Sequence, residues 1–201
     1  MARRRKWRDG IVKLYFVRHG ETDYRQVEER GVRGWATSFA PLSATGRLQI
    51  DTIARDFRLQ EAQAILCSSY ARALESAARL SRALNKPLYV EYDLHEWLPH
   101  KDPLGEPAPE QLLEANEQLR LQMQGLTVRN DAPWESLDEV RDRVLGVLRR
   151  YRHLSSLVVV SHAVVISALA GVERQVEHAE IVALELDLEA GGPVPLSSPG
   201  S

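Results

Sequence analysis

Two histidines in this chain keep company that suits phosphorus chemistry. The first stands in the run Arg18-His19-Gly20-Glu21-Thr22, and the second in Ser161-His162-Ala163. Between them lies Ser68-Ser69-Tyr70-Ala71-Arg72-Ala73. A guanidinium presents a planar fork of donors matched to phosphate oxygens. Taken singly, each has a plainer reading: a hydrogen-bonded structural histidine, or a solvated helix arginine. Taken together, Arg18, His19, Arg72 and His162 form a cationic nest for an anion, provided the fold gathers three distant segments at one place.

The surrounding elements have the pattern needed to gather them. Residues 13–17, 62–68, 87–92, 157–160 and 179–187 read as strands, rich in β-branched and apolar side chains. Helical patterns separate them. One starts at Ser43 and carries Leu48, Ile50, Ile53, Ala54 and Phe57. A second, with Ser69 as its cap, carries Leu74, Ala77, Ala78 and Leu80. A third starts at the capping box Ser136-Leu137-Asp138-Glu139. This alternation predicts an α/β/α three-layer sandwich with a mostly parallel sheet over residues 11–190. Each of the three motifs then follows the C-terminal end of a strand, where open α/β sheets bind their ligands. The Ser68–Ala73 run also opens a helix, whose free N–H groups attract anions. Residues 97–133 break the rhythm. They are Pro-rich at first and then polar and helical, so they read as an insertion that would act as a lid. Residues 1–10 read as a basic lead-in, and 191–201, dominated by Gly, Pro and Ser, as a disordered tail.

Composition excludes several classes. The net charge is −2, which argues against a nucleic-acid binder, although 22 of the 26 basic residues are arginine. The lone cysteine, Cys67, excludes an internal disulfide and a thiolate zinc cluster, and its apolar neighbours mark it as a buried small hydrophobe. No apolar run is long enough for a membrane span, and no signal-peptide cleavage pattern follows the basic start. A reduced, cytoplasmic protein is expected, with no metal and no membrane partner. A homodimer stays open.

On these motifs the chain resembles the histidine phosphatase superfamily, the phosphoglycerate mutase-like family. The Arg18–Thr22 run matches its hallmark, and the Ser-Ser-x-x-x-Arg-Ala helix start and the late Ser-His-Ala follow in the family's order. The resemblance implies that His19 is the nucleophile and forms a phosphohistidine. It implies that Arg18, Arg72 and His162 hold the phosphoryl oxygens, with Thr22 among the substrate-binding residues. It implies a general acid in a Leu-x-Glu pattern, matched by Leu94-His95-Glu96, with Glu91, Asp93, Asp102 and Glu106 as competing carboxylates. No cofactor is implied.

Some departures bear on the substrate. Where the family often has Trp-Asn, this chain has Tyr24-Arg25, so Arg25 either binds a second anionic group or is solvated. Arg33 is a similar candidate, and Trp35, Trp97 and His100 either form a rim or, for the tryptophans, pack in the core. The expected activity is a cofactor-independent phosphatase acting on small-molecule phosphate monoesters. The alternatives are a phosphoglycerate mutase and a non-catalytic phospho-ligand binder.

Overall fold

The alternation resolves into one mixed sheet. In the computed structural model, which describes residues 11–102, 105, 107–126, 132–171, 175–189 and 192–193, six strands are formed. They are β1 (Ile11–Arg18), β2 (Ala64–Ser68), β3 (Leu88–Glu91), β4 (Ser156–Ser161), β5 (Ile181–Asp187) and β6 (Gly192–Pro193). Their order is β3-β2-β4-β1-β5-β6. The first four in that order run parallel, while β5 pairs antiparallel with β1 and β6 with β5. The sheet is therefore mostly parallel.

Strand pleating sends alternate side chains to opposite faces. On one face Leu14, Phe16, Leu66, Leu157 and Val159 pack with Val140, Val144 and Leu148 of α6 (Leu137–Arg150) and Val165 and Ile166 of α7 (Ala163–Ala170). On the other face Tyr15, Val17, Ile65, Cys67, Val158 and Val160 meet Ile50 of α2 (Ala44–Ile53) and Ala73, Ala77 and Leu80 of α4 (Ala71–Leu84). Burial of each large apolar side chain contributes about 1.5–3 kcal/mol, so the two layers hold the central strands from both sides. Cys67 is fully buried and its thiol is pushed up to about 12 by that burial.

Several boundaries differ from the sequence pattern, for local reasons. The helix from Ser43 stops at Ile53, because Asp56 caps a separate short helix, α3 (Phe57–Gln60), and Phe57 is exposed rather than part of the apolar stripe. The cap of α4 is Tyr70 and not Ser69; the Ser68 hydroxyl accepts the Tyr70 N–H at 3.2 Å. The capping box at α6 is formed, with Ser136 Oγ accepting from the Glu139 N–H and Glu139 Oε2 from the Ser136 N–H. Within residues 97–133, α5 (Pro109–Met123) buries Ala115 and Leu119 in the core shared with α6. Trp97 is core as well, its Nε1–H donating to the Glu135 carbonyl. Gly192–Pro193 pair with β5, so these two residues depart from the disordered tail expected there. The lead-in 1–10, the rest of the tail and Glu106 lie outside the described residues.

Candidate active site

Parallel pairing brings the strand ends into register. Arg18 at the end of β1 is opposite Ser161 at the end of β4, and Cys67 near the end of β2 is opposite Val160. The chain leaves β1 through His19 and Gly20 and enters a close backbone contact. A Cβ on Gly20 would lie 2.4 Å from the Gly46 carbonyl oxygen, and one on Gly46 would lie 2.1 Å from the Glu21 carbonyl oxygen. Both glycines are therefore required by the approach of the α2 N-terminus to this loop. Ser43 secures the contact: its hydroxyl donates to Glu21 Oε1 at 2.5 Å and accepts the Gly46 N–H at 2.9 Å. On the α4 side, the Gly20 N–H donates to Ser76 Oγ, which itself donates to the Arg72 carbonyl.

His19 is almost fully buried. Its Nδ1 lies 2.7 Å from the Gly20 carbonyl oxygen, which accepts hydrogen bonds only, so the proton is assigned to Nδ1. Nε2 then carries the lone pair and accepts from the Arg72 Nε–H at 3.1 Å. Burial, the Arg72 guanidinium and Arg18 lower the His19 pKa to about 3, so the imidazole is neutral at physiological pH.

His162 is wholly buried, with its ring 5.1 Å from that of His19. Its Nε2 is 2.9 Å from Ser68 Oγ, and burial holds it well below the ordinary histidine range. His162 Nδ1 and Arg18 Nε are buried without a hydrogen-bond partner. Buried polar atoms left so are uncommon, and an oxyanion in this nest would satisfy them.

Glu96 follows β3 and the 3-10 turn Tyr92–Leu94, a segment tied to β4 by the Ser161 hydroxyl donating to the Leu94 carbonyl. Its Oε1 accepts the Trp97 N–H at 2.9 Å. Burial raises the Glu96 pKa, against the opposing pull of the Trp97 N–H and the Arg72 and Arg18 guanidiniums. Among the competing carboxylates, Glu91 is occupied elsewhere by Tyr151 and Arg150.

Of the residues expected from sequence, Arg18, His19, Arg72, His162 and Glu96 come together. The Thr22 hydroxyl is buried and unpartnered, beside the isolated bridge of Thr22 to Leu42. Arg25, the first residue of the short helix α1 (Arg25–Glu28), is turned onto Asp23 through two hydrogen bonds, 2.9 and 2.7 Å, with its side chain 80% exposed. Arg33 is exposed at the start of the 3-10 helix Gly34–Phe39. His100 sits against the Asp102 carbonyl.

The sequence motifs do not include His178. Its Nε2 accepts from Arg18 Nη2 at 3.0 Å, and its ring lies 5.7 Å from that of His19. The Val176 carbonyl accepts Arg18 Nη1 at 2.6 Å, and the Ala179 N–H donates to the Arg18 carbonyl. Residues 176–180 thus grip both the side chain and the backbone of Arg18, with Ala179 at φ 57°, a left-handed conformation that strains a residue bearing a Cβ. The signal was the direction of β5. Because β5 runs antiparallel, the residues entering it lie beside the end of β1.

Among the described residues no group of three or more His, Cys, Asp or Glu could hold a metal ion, and no helix is long and apolar enough to cross a membrane.

A family model described as "Histidine phosphatase superfamily (branch 1)" matches residues 14–190. A curated relative from Escherichia coli, named "Probable phosphoglycerate mutase GpmB", is 29% identical over 166 residues, 79% of this chain and 73% of its own. The solved structure of a mycobacterial glucosyl-3-phosphoglycerate phosphatase superposes with a TM-score of 0.63 at 20% identity, covering 87% of this chain and 90% of that one. Bacillus stearothermophilus YhfR gives 0.64 at 22% identity, covering 91% and 94%. At these identities the structural matches speak to the fold alone.

Proposed function

Because this chain belongs to the histidine phosphatase superfamily, we propose that it hydrolyses small-molecule phosphate monoesters through a phosphohistidine on His19. The observation that carries this reading is the His19 tautomer: Nδ1–H is held by the Gly20 carbonyl and the Nε2 lone pair faces Arg72. A bound phosphoryl group competes for that Arg72 N–H and frees Nε2. Arg18, Arg72 and His162 take the phosphoryl oxygens and stabilise the charge of the transition state.

In the first step the Nε2 lone pair forms the N–P bond while the P–O bond to the leaving group breaks. Glu96, whose protonated form burial favours, gives its proton to the leaving oxygen. In the second step the Glu96 carboxylate removes a proton from water, whose oxygen attacks phosphorus. The N–P bond breaks, inorganic phosphate leaves, and the electron pair returns to His19. No metal or cofactor is needed to balance either step. The buried, unpartnered Thr22 hydroxyl supplies a further donor to the substrate. Arg25 pairs with Asp23 and Arg33 is exposed, and neither is assigned a phosphoryl contact.

The test is phosphate release from p-nitrophenyl phosphate. His19→Ala is expected to abolish it in a protein whose circular dichroism is unchanged; retained turnover would contradict the proposal. A mutase reading is favoured by the name of the Escherichia coli relative. Incubation with 3-phosphoglycerate, with and without bisphosphoglycerate, separates the two: the phosphatase releases free phosphate, whereas a mutase yields the isomer.

A further inference from the structure

Beyond the phosphoryl nest stands a group of rings that the chemistry above does not use. Tyr70 is the pivot. Its ring lies 5.1 Å from that of His162, and the Arg72 guanidinium carbon sits 5.0 Å over its face. It faces Trp35 at 6.5 Å and stacks with His95 at 6.3 Å and 21°. Trp35 and His95 are 6.1 Å apart, and Tyr92 meets His95 edge-on at 5.1 Å. These rings come from four places: the 3-10 helix Gly34–Phe39, the cap of α4, the turn after β3, and the residue before Glu96. Tyr92 is 60% exposed, and Trp35 and Tyr70 are half-buried, so the wall keeps aromatic surface open beside the site.

The position of the wall follows from Glu96. The leaving oxygen is the one that Glu96 protonates, and the Glu96 carboxyl is near enough for its charge to act on the Tyr70 hydroxyl. The organic part of the substrate thus leaves on the side of the wall. The charge of the wall decides what that part is. Burial and the nearby Arg143 hold His95 below the ordinary histidine range, so its ring is neutral. Arg143 is itself matched by Glu135 at 2.5 Å, with both side chains largely buried. Tyr70 is pushed up to about 12 by burial and keeps its proton. Of the two arginines suggested by sequence for a second anionic group, Arg25 is paired with Asp23, and Arg33 is exposed at the N-cap of the helix that carries Trp35. The wall thus offers faces and edges of neutral rings, with the Arg72 guanidinium over Tyr70 turned to the phosphoryl nest through His19.

We propose that Trp35, Tyr70 and Tyr92, backed by the buried His95, form the leaving-group subsite, and that it takes a planar ring on the alcohol side of the phosphate ester. This rests on the phosphatase reading of His19 and Glu96. Offset-stacked and edge-to-face contacts with such a ring favour it over an alkyl chain of similar reach, and repel nothing. A carboxylated leaving group such as phosphoglycerate offers no ring to stack and would lose hydration against these faces.

The experiment compares esters whose alcohols leave with similar difficulty: 2-phenylethyl phosphate and n-butyl phosphate, with 3-phosphoglycerate as the anionic case. The wild-type protein is expected to prefer the phenylethyl ester over the butyl ester by about tenfold in kcat/KM, the worth of one good aromatic contact, and to rank 3-phosphoglycerate last. In Trp35→Ala and Tyr92→Ala the ratio of phenylethyl to butyl should fall toward one, chiefly through KM for the phenylethyl ester. A ratio near one in the wild type, a ratio unmoved in both variants, or 3-phosphoglycerate as the best of the three would overturn the proposal. Calorimetric binding of the matching phosphonates, 3-phenylpropylphosphonate and pentylphosphonate, separates the two readings. Ring preference in binding without hydrolysis of any ester removes the phosphatase reading and keeps the subsite. Hydrolysis without ring preference removes the subsite and keeps the phosphatase.

Discussion

His19 and Glu96 are tuned in opposite protonation senses by one cause, burial, and that division of labour sets the pH behaviour of the reaction. The lowered pKa of His19 keeps its lone pair available to well below neutrality, while the raised pKa of Glu96 keeps its proton above the range of an exposed glutamate. Because kcat/KM reports the free protein and the first irreversible step, it should fall as pH rises through the elevated Glu96 pKa. Glu96→Gln should lower kcat/KM for alkyl phosphates by about 100-fold or more, and flatten that limb of the profile. The loss should be smaller for p-nitrophenyl phosphate, whose leaving oxygen needs no proton. Equal losses for both ester types would assign Glu96 a role other than acid. His178 acts one step back, as an acceptor that aims Arg18. Replacing it with Leu should cost about tenfold in kcat/KM, since a small misplacement of an oriented group is expensive. His178→Asn, which retains an acceptor, should recover part of that loss, whereas a merely space-filling role would favour the leucine.

At the scale of elements, the site depends on where strands end and on how closely the next helix can approach. The Gly20–Gly46 contact leaves no room for a methyl group on either side, and the atoms in the way are backbone. Gly20→Ala should therefore destabilise the protein by about 2 kcal/mol or more, seen as a fall in Tm of several degrees, and should impair activity through His19. Loss of the Ser136 cap by Ser136→Ala should cost about 1 kcal/mol without touching the site. The elements were largely legible because the buried central strands read as unbroken apolar runs, and because Arg18, Arg72 and His162 each follow one. Gly20 stands in the motif itself, but the neighbour that requires a glycine there is the backbone of α2, distant in sequence. What escaped were residues whose meaning depends on neighbours distant in sequence. His178 joins the site through the antiparallel entry into β5, and Tyr70 reads as part of a helix start until Trp35 and His95 are set around it. Trp97, considered for a rim, is drawn into the core by its hydrogen bond to Glu135 and by the packing of α5.

For the molecule as a whole, a buried neutral histidine cluster makes folding sensitive to acid. His19 and His162 have depressed pKa values when folded, and recover an ordinary value near 6.5 when unfolded. Between that value and the folded pKa the unfolded chain binds more protons, so stability is lost as pH falls through this window. Each additional proton contributes a slope of about 1.4 kcal/mol per pH unit. Denaturant titrations from pH 7 to pH 4 should show a shallower decline for His162→Asn than for the wild type, and parallel declines would place the acid sensitivity elsewhere. Across the whole chain a net charge of −2 coexists with a concentration of positive charge at three strand ends, which suits a small anion and not a polyanion.

The central claim is that phosphorus is bonded to His19 during turnover. The most direct measurement is an alkaline quench of the protein with a radiolabelled phosphate monoester, followed by peptide mapping. The expected result is label on the peptide bearing His19, stable in alkali, discharged in acid, and absent from His19→Ala. Phosphate release at the wild-type rate with no label on that peptide, or label that survives the removal of His19, would contradict it.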